Sequence, residues 1–182
     1  MNEHTNKQFH SDLEATRSLF LQMGGIVESM VRSATEALQS GDMSLVDQVR
    51  EREKEINRLE VEIDERITNL IARNQPTAID LRMLLSISKM LTDMERCGDE
   101  AERIAKMARR LHEGTAGYEP VVELRHMSSS VAGMINDVLD AFARVAAEVP
   151  ADLVEIRKSC AFVCGVGVEE SCHYQGLLAP ES

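Results

Sequence analysis

Residues 75–82 decide the fold, because their sequence, QPTAIDLR, separates two long stretches of helical pattern. Pro76 favours a tight connection between helices, and the Thr77 side chain can cap the N-terminus of the helix that follows. Asp80 stands three residues later and suits the role of capping partner. We therefore expect the chain to reverse direction here, so that the two flanking helices lie antiparallel.

Apolar residues recur at helical spacing on both sides of this turn. The pattern predicts four helices, over about 13–38, 45–74, 77–111 and 121–149. Aromatic residues are only 3% of the chain, which is typical of all-helical proteins when Glu, Leu, Ala, Arg and Met dominate the remainder. The sequence therefore predicts an all-α protein.

A linker over residues 114–120, with two glycines and a proline, divides the predicted helices. Three helices joined by short turns are sufficient for a first three-helix bundle, over 1–113. Helix four would begin a second bundle, over 120–159. The last segment, 160–182, contains no Lys, Arg or Asp and has no helical period, so we expect an irregular tail after an incomplete second bundle.

A faint internal repeat supports this division. A shift of 108 residues places Val27 on Ile135 and Leu45 on Leu153, so helices four and five resemble helices one and two. The match then ends, and we interpret the abrupt change as a truncated or frame-shifted end. Without a complete second bundle, we expect helix four to pack loosely or against a second copy.

Helices two and three each carry the same pair of carboxylates. Glu60 and Asp64 form one pair, and Glu95 and Asp99 form the other. The i,i+4 spacing puts each pair one turn apart on one helix face, so antiparallel neighbours would bring four carboxylates together. Four such groups repel unless a cation lies between them, and oxygen ligands suit Mg, Mn, Ca or iron. Gly98, inside the second pair, suggests the close approach of another group.

The alternative interpretation of these carboxylates is an ordinary solvated helix face. Arg58, Arg66, Arg96 and Arg103 are nearby in sequence, and i,i+4 ion pairs are routine on helices. Spacing alone favours this alternative. The occurrence of the motif on two helices, each time beside an apolar stripe, favours a regulatory metal site.

A di-iron centre has less support. Glu123 and His126 form half of a di-iron motif, but the second half, Glu170 and His173, falls in the Gly-rich tail rather than on a long helix. We therefore interpret His126 as an ordinary helix residue.

The cysteines also lack a recognisable ligand pattern. Cys160 and Cys164 are followed by the adjacent pair Cys172-His173, which is not a usual zinc spacing. We interpret Cys160, Cys164 and Cys172 as incidental thiols, and Cys97 as a packing residue on helix three.

Charge and composition exclude several classes of function. The chain has 20 basic and 31 acidic residues, a net charge of −11, which makes nucleic acid and anionic lipid unfavourable partners. Residues 1–18 lack an apolar signal core, and the longest strongly apolar run, 160–168, is too short to span a bilayer. No Gly-rich phosphate loop or nucleophile–base motif is present. We expect a soluble cytoplasmic protein that is not an enzyme.

Several short motifs, taken together, resemble the PhoU family of phosphate-transport accessory regulators. They are Met23-Gly24-Gly25, QPTA at 75–78, DLR at 80–82, Glu95-Arg96 with Gly98-Asp99, and DVLDAF at 137–142. The resemblance extends from Met1 to about Lys158. It implies pseudo-repeated three-helix bundles whose E-x-x-x-D motifs bind metal.

The resemblance also implies a function. The expected protein is a negative regulator that restrains phosphate uptake and holds off the phosphate-starvation response when phosphate is plentiful. Its expected partners are the transporter's ATPase subunit and a membrane sensor histidine kinase. The protein would reach the membrane only through these partners. A homodimer is a further expectation. The implied metal ligands are Glu60, Asp64, Glu95 and Asp99, with Mg, Mn or iron as the cofactor. Two alternatives stay open: a metal-binding or storage bundle without a signalling role, and a structural helical adaptor.

Overall fold

A computed structural model describes residues 2–114 and 122–148 of the chain. The described residues form four helices and no strand, so the all-α prediction is confirmed. The helices are α1 (Asn2–Ser40), α2 (Met43–Asn74), α3 (Ala78–Glu113) and α4 (Val122–Glu148). Most bounds agree with the predicted ones to within a few residues, but α1 begins well before the predicted start.

The connection between α2 and α3 has the capping chemistry that its sequence predicts. Gln75 adopts a left-handed conformation, with φ of 45°, and ends α2. Thr77 Oγ1 accepts a long hydrogen bond from Asp80 N at 3.5 Å and donates one to Asp80 Oδ2 at 2.7 Å. Leu81 N donates to Thr77 O at 2.8 Å, which closes the first turn of α3. The turn therefore reverses the chain within three residues.

The connection between α1 and α2 is equally short. Gly41 has a φ of 74°, a conformation that favours glycine, and its backbone N donates to Ala37 O at 2.9 Å. Asp42 then caps α2 by accepting a hydrogen bond from Ser44 N at 2.9 Å. The pKa of Asp42 is lowered, first by hydrogen bonding to the Ser44 side chain and then by this bond from the Ser44 backbone.

Two successive reversals make α1 and α3 parallel and α2 antiparallel to both. His112 Nε2 lies 2.9 Å from Leu38 O, so the C-terminal ends of α3 and α1 are adjacent. Each of the three helices packs against the other two. The largest fully buried side chains of this bundle are Phe20, Met23, Met30, Ile56, Leu59, Ile63, Leu84, Ile87, Met90 and Met94.

Helix α4 packs against α1 and runs antiparallel to it. Near one end of the contact, Arg125 Nε donates to Gln39 Oε1 at 3.1 Å. Near the other end, Arg17 Nη2 donates to Ala143 O at 2.6 Å. Helix α1 therefore carries α2 and α3 on one side and α4 on another.

The apolar side of α4 is buried on α1. The rings of Phe20 and Phe142 meet edge to face, with centroids 5.1 Å apart, and neither side chain is exposed. Leu139 lies directly over the backbone at Gly24. The expectation that helix four packs loosely or against a second copy is therefore wrong, because its apolar stripe packs against the same chain.

The predicted domain boundaries stay predictions. Residues 115–121 and 149–182 lie outside the described part of the chain, and they include most of the predicted linker, the end of 120–159 and the whole of 160–182. Within the described residues, no helix is long and apolar enough to cross a membrane.

Candidate functional site

The contact between Gly98 and Ile56 defines the register of α3 against α2. A Cβ atom built on Gly98 would lie 3.5 Å from Ile56 Cγ2, so these residues are level in the antiparallel pair. A helix rises about 1.5 Å per residue, which places Glu60 within about 2 Å of the level of Glu95 along the axis. The same geometry places Asp64 about 7 Å from the level of Glu95 along the helix axis.

Electrostatics show which carboxylates are close neighbours. The pKa of Glu95 is raised above its ordinary value of 4.5, first by burial and then by the negative charges of Asp99, Glu60 and Glu53. Arg96 opposes this shift only in part. Glu60 and Asp99, on two helices, therefore lie close enough to Glu95 to disfavour its ionised form.

The fourth predicted ligand, Asp64, is exposed and does not contribute to the shift at Glu95. In residues 2–114 and 122–148, no group of three or more His, Cys, Asp or Glu side chains is arranged to hold a metal ion. The structure thus supplies neighbouring carboxylates of the right ligand chemistry without a preformed coordination site. The metal assignment stays a prediction.

Glu53 is a neighbour of the site that the sequence interpretation missed. It is partly buried and precedes Glu60 by seven residues, so the two lie on the same face of α2. Its carboxylate accepts a hydrogen bond from Asn57 Nδ2. The seven-residue spacing from Glu60 is a usable signal, but it extends toward the N-terminus of α2, whereas the E-x-x-x-D motif extends toward the C-terminus.

The arginines of the alternative interpretation form ion pairs elsewhere. Arg58 and Arg66 both contact Glu62, at 3.5 and 3.0 Å, and Arg103 contacts Glu100. Within the described part of the chain, none of the four predicted ligands forms an ion pair or a side-chain hydrogen bond. Of the four arginines, only Arg96 acts on Glu95, and it offsets the raised pKa only in part.

The interpretation of Gly98 as a point of close approach is wrong. An added Cβ atom would meet Ile56 at 3.5 Å and Met30 Cε at 3.8 Å, which are ordinary van der Waals distances. The close approach is at Gly24 instead, where a Cβ atom would lie 3.1 Å from Leu139 Cγ and closer still to both methyl carbons. Gly24 thus marks the contact between α1 and α4.

The remaining candidate ligands do not join this site. His126 is exposed on α4. The side chain of Glu123 and the second half of the di-iron motif, Glu170 and His173, lie outside the described residues, so that interpretation has no test here.

Cys97 is buried in α3, 8% exposed, which agrees with a packing role. It is also disulfide-bonded, which the sequence interpretation did not predict. Cys160, Cys164 and Cys172 lie outside the described residues.

The fold and the inter-helix carboxylates define a protein built on a long three-helix bundle with an acidic cluster between α2 and α3. Residues 20–108 match the PhoU domain. The crystal structure of PhoU from Pseudomonas aeruginosa matches with a TM-score of 0.73 and 32% identity, over 90% of this chain and 95% of that one. The chain therefore belongs to the PhoU family.

Other relatives agree with this assignment. The chain is 43% identical over 159 residues to the phosphate-specific transport system accessory protein PhoU homolog of Pseudomonas putida, which covers 87% of this chain and 62% of the relative. It is 39% identical over 146 residues to the phosphate-specific transport system accessory protein PhoU of Escherichia coli K12, covering 80% and 60%. The chain thus spans about three fifths of the length of these curated relatives.

A second crystal structure supports the fold alone. It is that of the phosphate transport system regulatory protein PhoU from Streptococcus pneumoniae, which matches with a TM-score of 0.66 and 21% identity. It covers 88% of this chain and 95% of that one.

Proposed function

We propose that this protein is a cytoplasmic accessory regulator of phosphate transport that restrains phosphate uptake and the phosphate-starvation response. The observation that carries the proposal is its 43% identity to a relative named as an accessory protein of phosphate-specific transport. The match to a PhoU crystal structure over 95% of that structure supports it, since it extends across all four helices rather than a local motif.

The proposed mechanism is contact rather than turnover. A bundle of helices 27 to 39 residues long offers extended faces for a partner. A protein that binds one state of a transporter or a sensor kinase more tightly than the other shifts the equilibrium between them without any chemical step. The proposed partners are the transporter's ATPase subunit and a membrane sensor histidine kinase.

An Escherichia coli strain that lacks its own PhoU provides the test. Expression of this chain should restore repression of alkaline phosphatase in phosphate-rich medium, as the native protein does and an empty vector does not. Constitutive alkaline phosphatase in the presence of folded, expressed chain would contradict the regulatory role. Phosphatase or ATPase activity of the pure protein would contradict action by contact.

We further propose that the carboxylates between α2 and α3 bind a hard cation, Mg, Mn or iron. Glu60, Glu95 and Asp99 would hold it, with Glu53 rather than Asp64 as the fourth carboxylate. The raised pKa of Glu95 and the lack of ion pairs at the predicted ligands in the described chain support this, because a cation would relieve the repulsion. When bound, the ion would supply positive charge that holds the two helices together.

Thermal unfolding tests the metal proposal. Metal should raise the unfolding temperature of the wild type above its value in EDTA, and Glu60→Gln with Asp99→Asn should abolish that increase. Glu65→Gln with Asp137→Asn is the matched control, because it removes the same charge from two exposed positions. If the increase survives in the site variant, or is lost equally in the control, these residues are an ordinary solvated helix face and not a metal site.

The same measurement separates the two candidates for the fourth ligand. Glu53→Gln should reduce the metal-induced increase more than Asp64→Asn does, because Glu53 already acts on Glu95. A count of bound ions then addresses the storage alternative. Binding of many ions per chain, or oxidation of iron, would favour a storage bundle over a regulatory site.

A further inference from the structure

Five basic residues form a row along α3 at intervals of seven residues. All five side chains are exposed, and we call them the α3 basic row. Its members are Arg82, Lys89, Arg96, Arg103 and Arg110. Seven residues are close to two helical turns, so successive members lie about 10 Å apart and drift by only about 20° around the helix. The row is therefore a line of positive charge about 42 Å long that winds by about 80° around the helix over its whole length.

The row occupies the outermost part of α3, opposite the face buried in the bundle. Leu84, Ile87, Leu91 and Met94 of the same helix are buried on the other side. The acidic side chains of α3 are all partly buried, except that of Glu113. The cations therefore extend furthest into solvent, although the chain as a whole has a net charge of −11.

Intramolecular pairing does not account for the row. Among the described residues, only Arg103 of the five forms an ion pair, with Glu100. The other cations of α3 do find partners, Lys106 with Glu102 and Arg109 with Asp47. Arg96 also acts on the charge of Glu95. Like the three remaining cations of the row, however, it forms no ion pair with another described residue, so four cations in one register are available to a partner.

We propose that the α3 basic row docks an acidic helix of a partner protein, whose carboxylates recur every seven residues. A helix laid along α3 would present such carboxylates at the spacing of the cations. Leu85, 47% exposed between Arg82 and Lys89, adds an apolar contact of the kind that fixes the position of a docked helix. The inference holds or fails independently of the proposed role in phosphate regulation.

A protein helix fits the row better than other polyanions do. At physiological salt, the electrostatic field of the row is screened beyond about 8 Å. The row therefore attracts a partner that can lie close along it, as a single helix can. A membrane surface or a nucleic acid would also meet the acidic remainder of the chain and be repelled. Charge complementarity therefore favours a narrow, regularly spaced acidic partner.

A synthetic fluorescent peptide of about 28 residues, the length of the row, is the probe. It carries Glu every seventh residue on a helix-forming background, and a second peptide of the same composition has the Glu residues scattered. Fluorescence anisotropy against the full chain at low salt measures the Kd. Arg82→Gln with Lys89→Gln removes two charges from the row, and Arg50→Gln with Arg73→Gln removes two exposed, unpaired charges from α2 as a matched control.

The row variant should raise the Kd of the regular peptide about tenfold, whereas the control should change it less than about twofold. The scattered peptide should bind at least about tenfold more weakly than the regular one. Equal weakening by the control, or equal binding of the scattered peptide, would overturn the proposal. Tighter binding of phosphatidylserine vesicles or duplex DNA than of the regular peptide would also overturn it. Circular dichroism confirms that both variants remain folded.

Discussion

Two adjacent glycines in α1 predict opposite responses to the same substitution. A Cβ atom on Gly24 would lie 3.1 Å from Leu139 Cγ, which is a tight contact, and 2.8 Å from Leu139 Cδ1, which is closer than packed carbon atoms come. A Cβ atom on Gly25 would have no atom within 4 Å. Gly24→Ala therefore perturbs the contact between α1 and α4, and Gly25→Ala does not.

The magnitudes follow from helix propensity and packing. Alanine is favoured over glycine inside a helix by about 1 kcal/mol, so Gly25→Ala should raise the free energy of unfolding by roughly that amount. Gly24→Ala has the same gain but adds an overpacking cost of about 1–3 kcal/mol. Rotation of the methyl groups alone leaves Leu139 Cγ at 3.1 Å, so the whole Leu139 side chain must also shift. The two variants should therefore differ by about 1–3 kcal/mol.

Urea unfolding followed by far-ultraviolet circular dichroism measures this difference, since the chain has no Trp and two Tyr. The dependence on urea should be the same in all variants if only stability changes. Leu139→Ala provides a second check, because Gly24→Ala should become stabilising in that background. Equal stabilisation by the two glycine substitutions, or a penalty that persists without the Leu139 side chain, would refute the reasoning.

Three further predictions test the core and the candidate site. Phe142→Ala should reduce the free energy of unfolding by about 3–5 kcal/mol, measured in urea, because Phe142 is fully buried against Phe20. Gly98→Ala should be neutral or stabilising by up to about 1 kcal/mol in the same assay, since the new methyl group would only touch Ile56. The raised pKa of Glu95 means that the folded state holds this proton more tightly than the unfolded state does, so the stabilisation is complete below about pH 4.5 and is lost as the pH rises through the folded-state pKa. Glu95→Gln should make the urea midpoint, measured in EDTA, decline less steeply as the pH rises through the acidic range. An unchanged dependence of the midpoint on pH would contradict this reasoning.

Local chemistry made the helical hairpin predictable. Thr77 and Asp80 satisfy backbone and side-chain groups within a few residues of each other, so the signal needs no information from the rest of the chain. The end of α1 at Gly41 is equally local, because glycine adopts a positive φ without support from distant residues. Turns and helix ends are therefore the parts of this fold that the amino-acid sequence specifies most directly.

The packing of α4 was not predictable in this way. An apolar stripe shows that a helix must cover one face, but it does not show which helix provides the cover. The relevant signal was in α1, where Gly24 leaves room for Leu139 and Phe20 meets Phe142. These residues are more than a hundred positions apart, and a pattern that works within one helix cannot pair them.

The candidate site shows the same limit of prediction from sequence, at the level of single side chains. The E-x-x-x-D spacing correctly places each carboxylate pair on one face of its helix, because that depends only on 3.6 residues per turn. Which members meet across the interface depends on the axial register, and the contact of Gly98 with Ile56 sets that register. Register alone does not decide, because Glu53 lies about 9 Å and Asp64 about 7 Å from the level of Glu95 along the axis. Asp64 is exposed, whereas Glu53 is partly buried and its charge raises the pKa of Glu95. Motif spacing therefore identifies the helix faces that can form an acidic site, and the burial of each side chain between the helices selects the carboxylates that enter it.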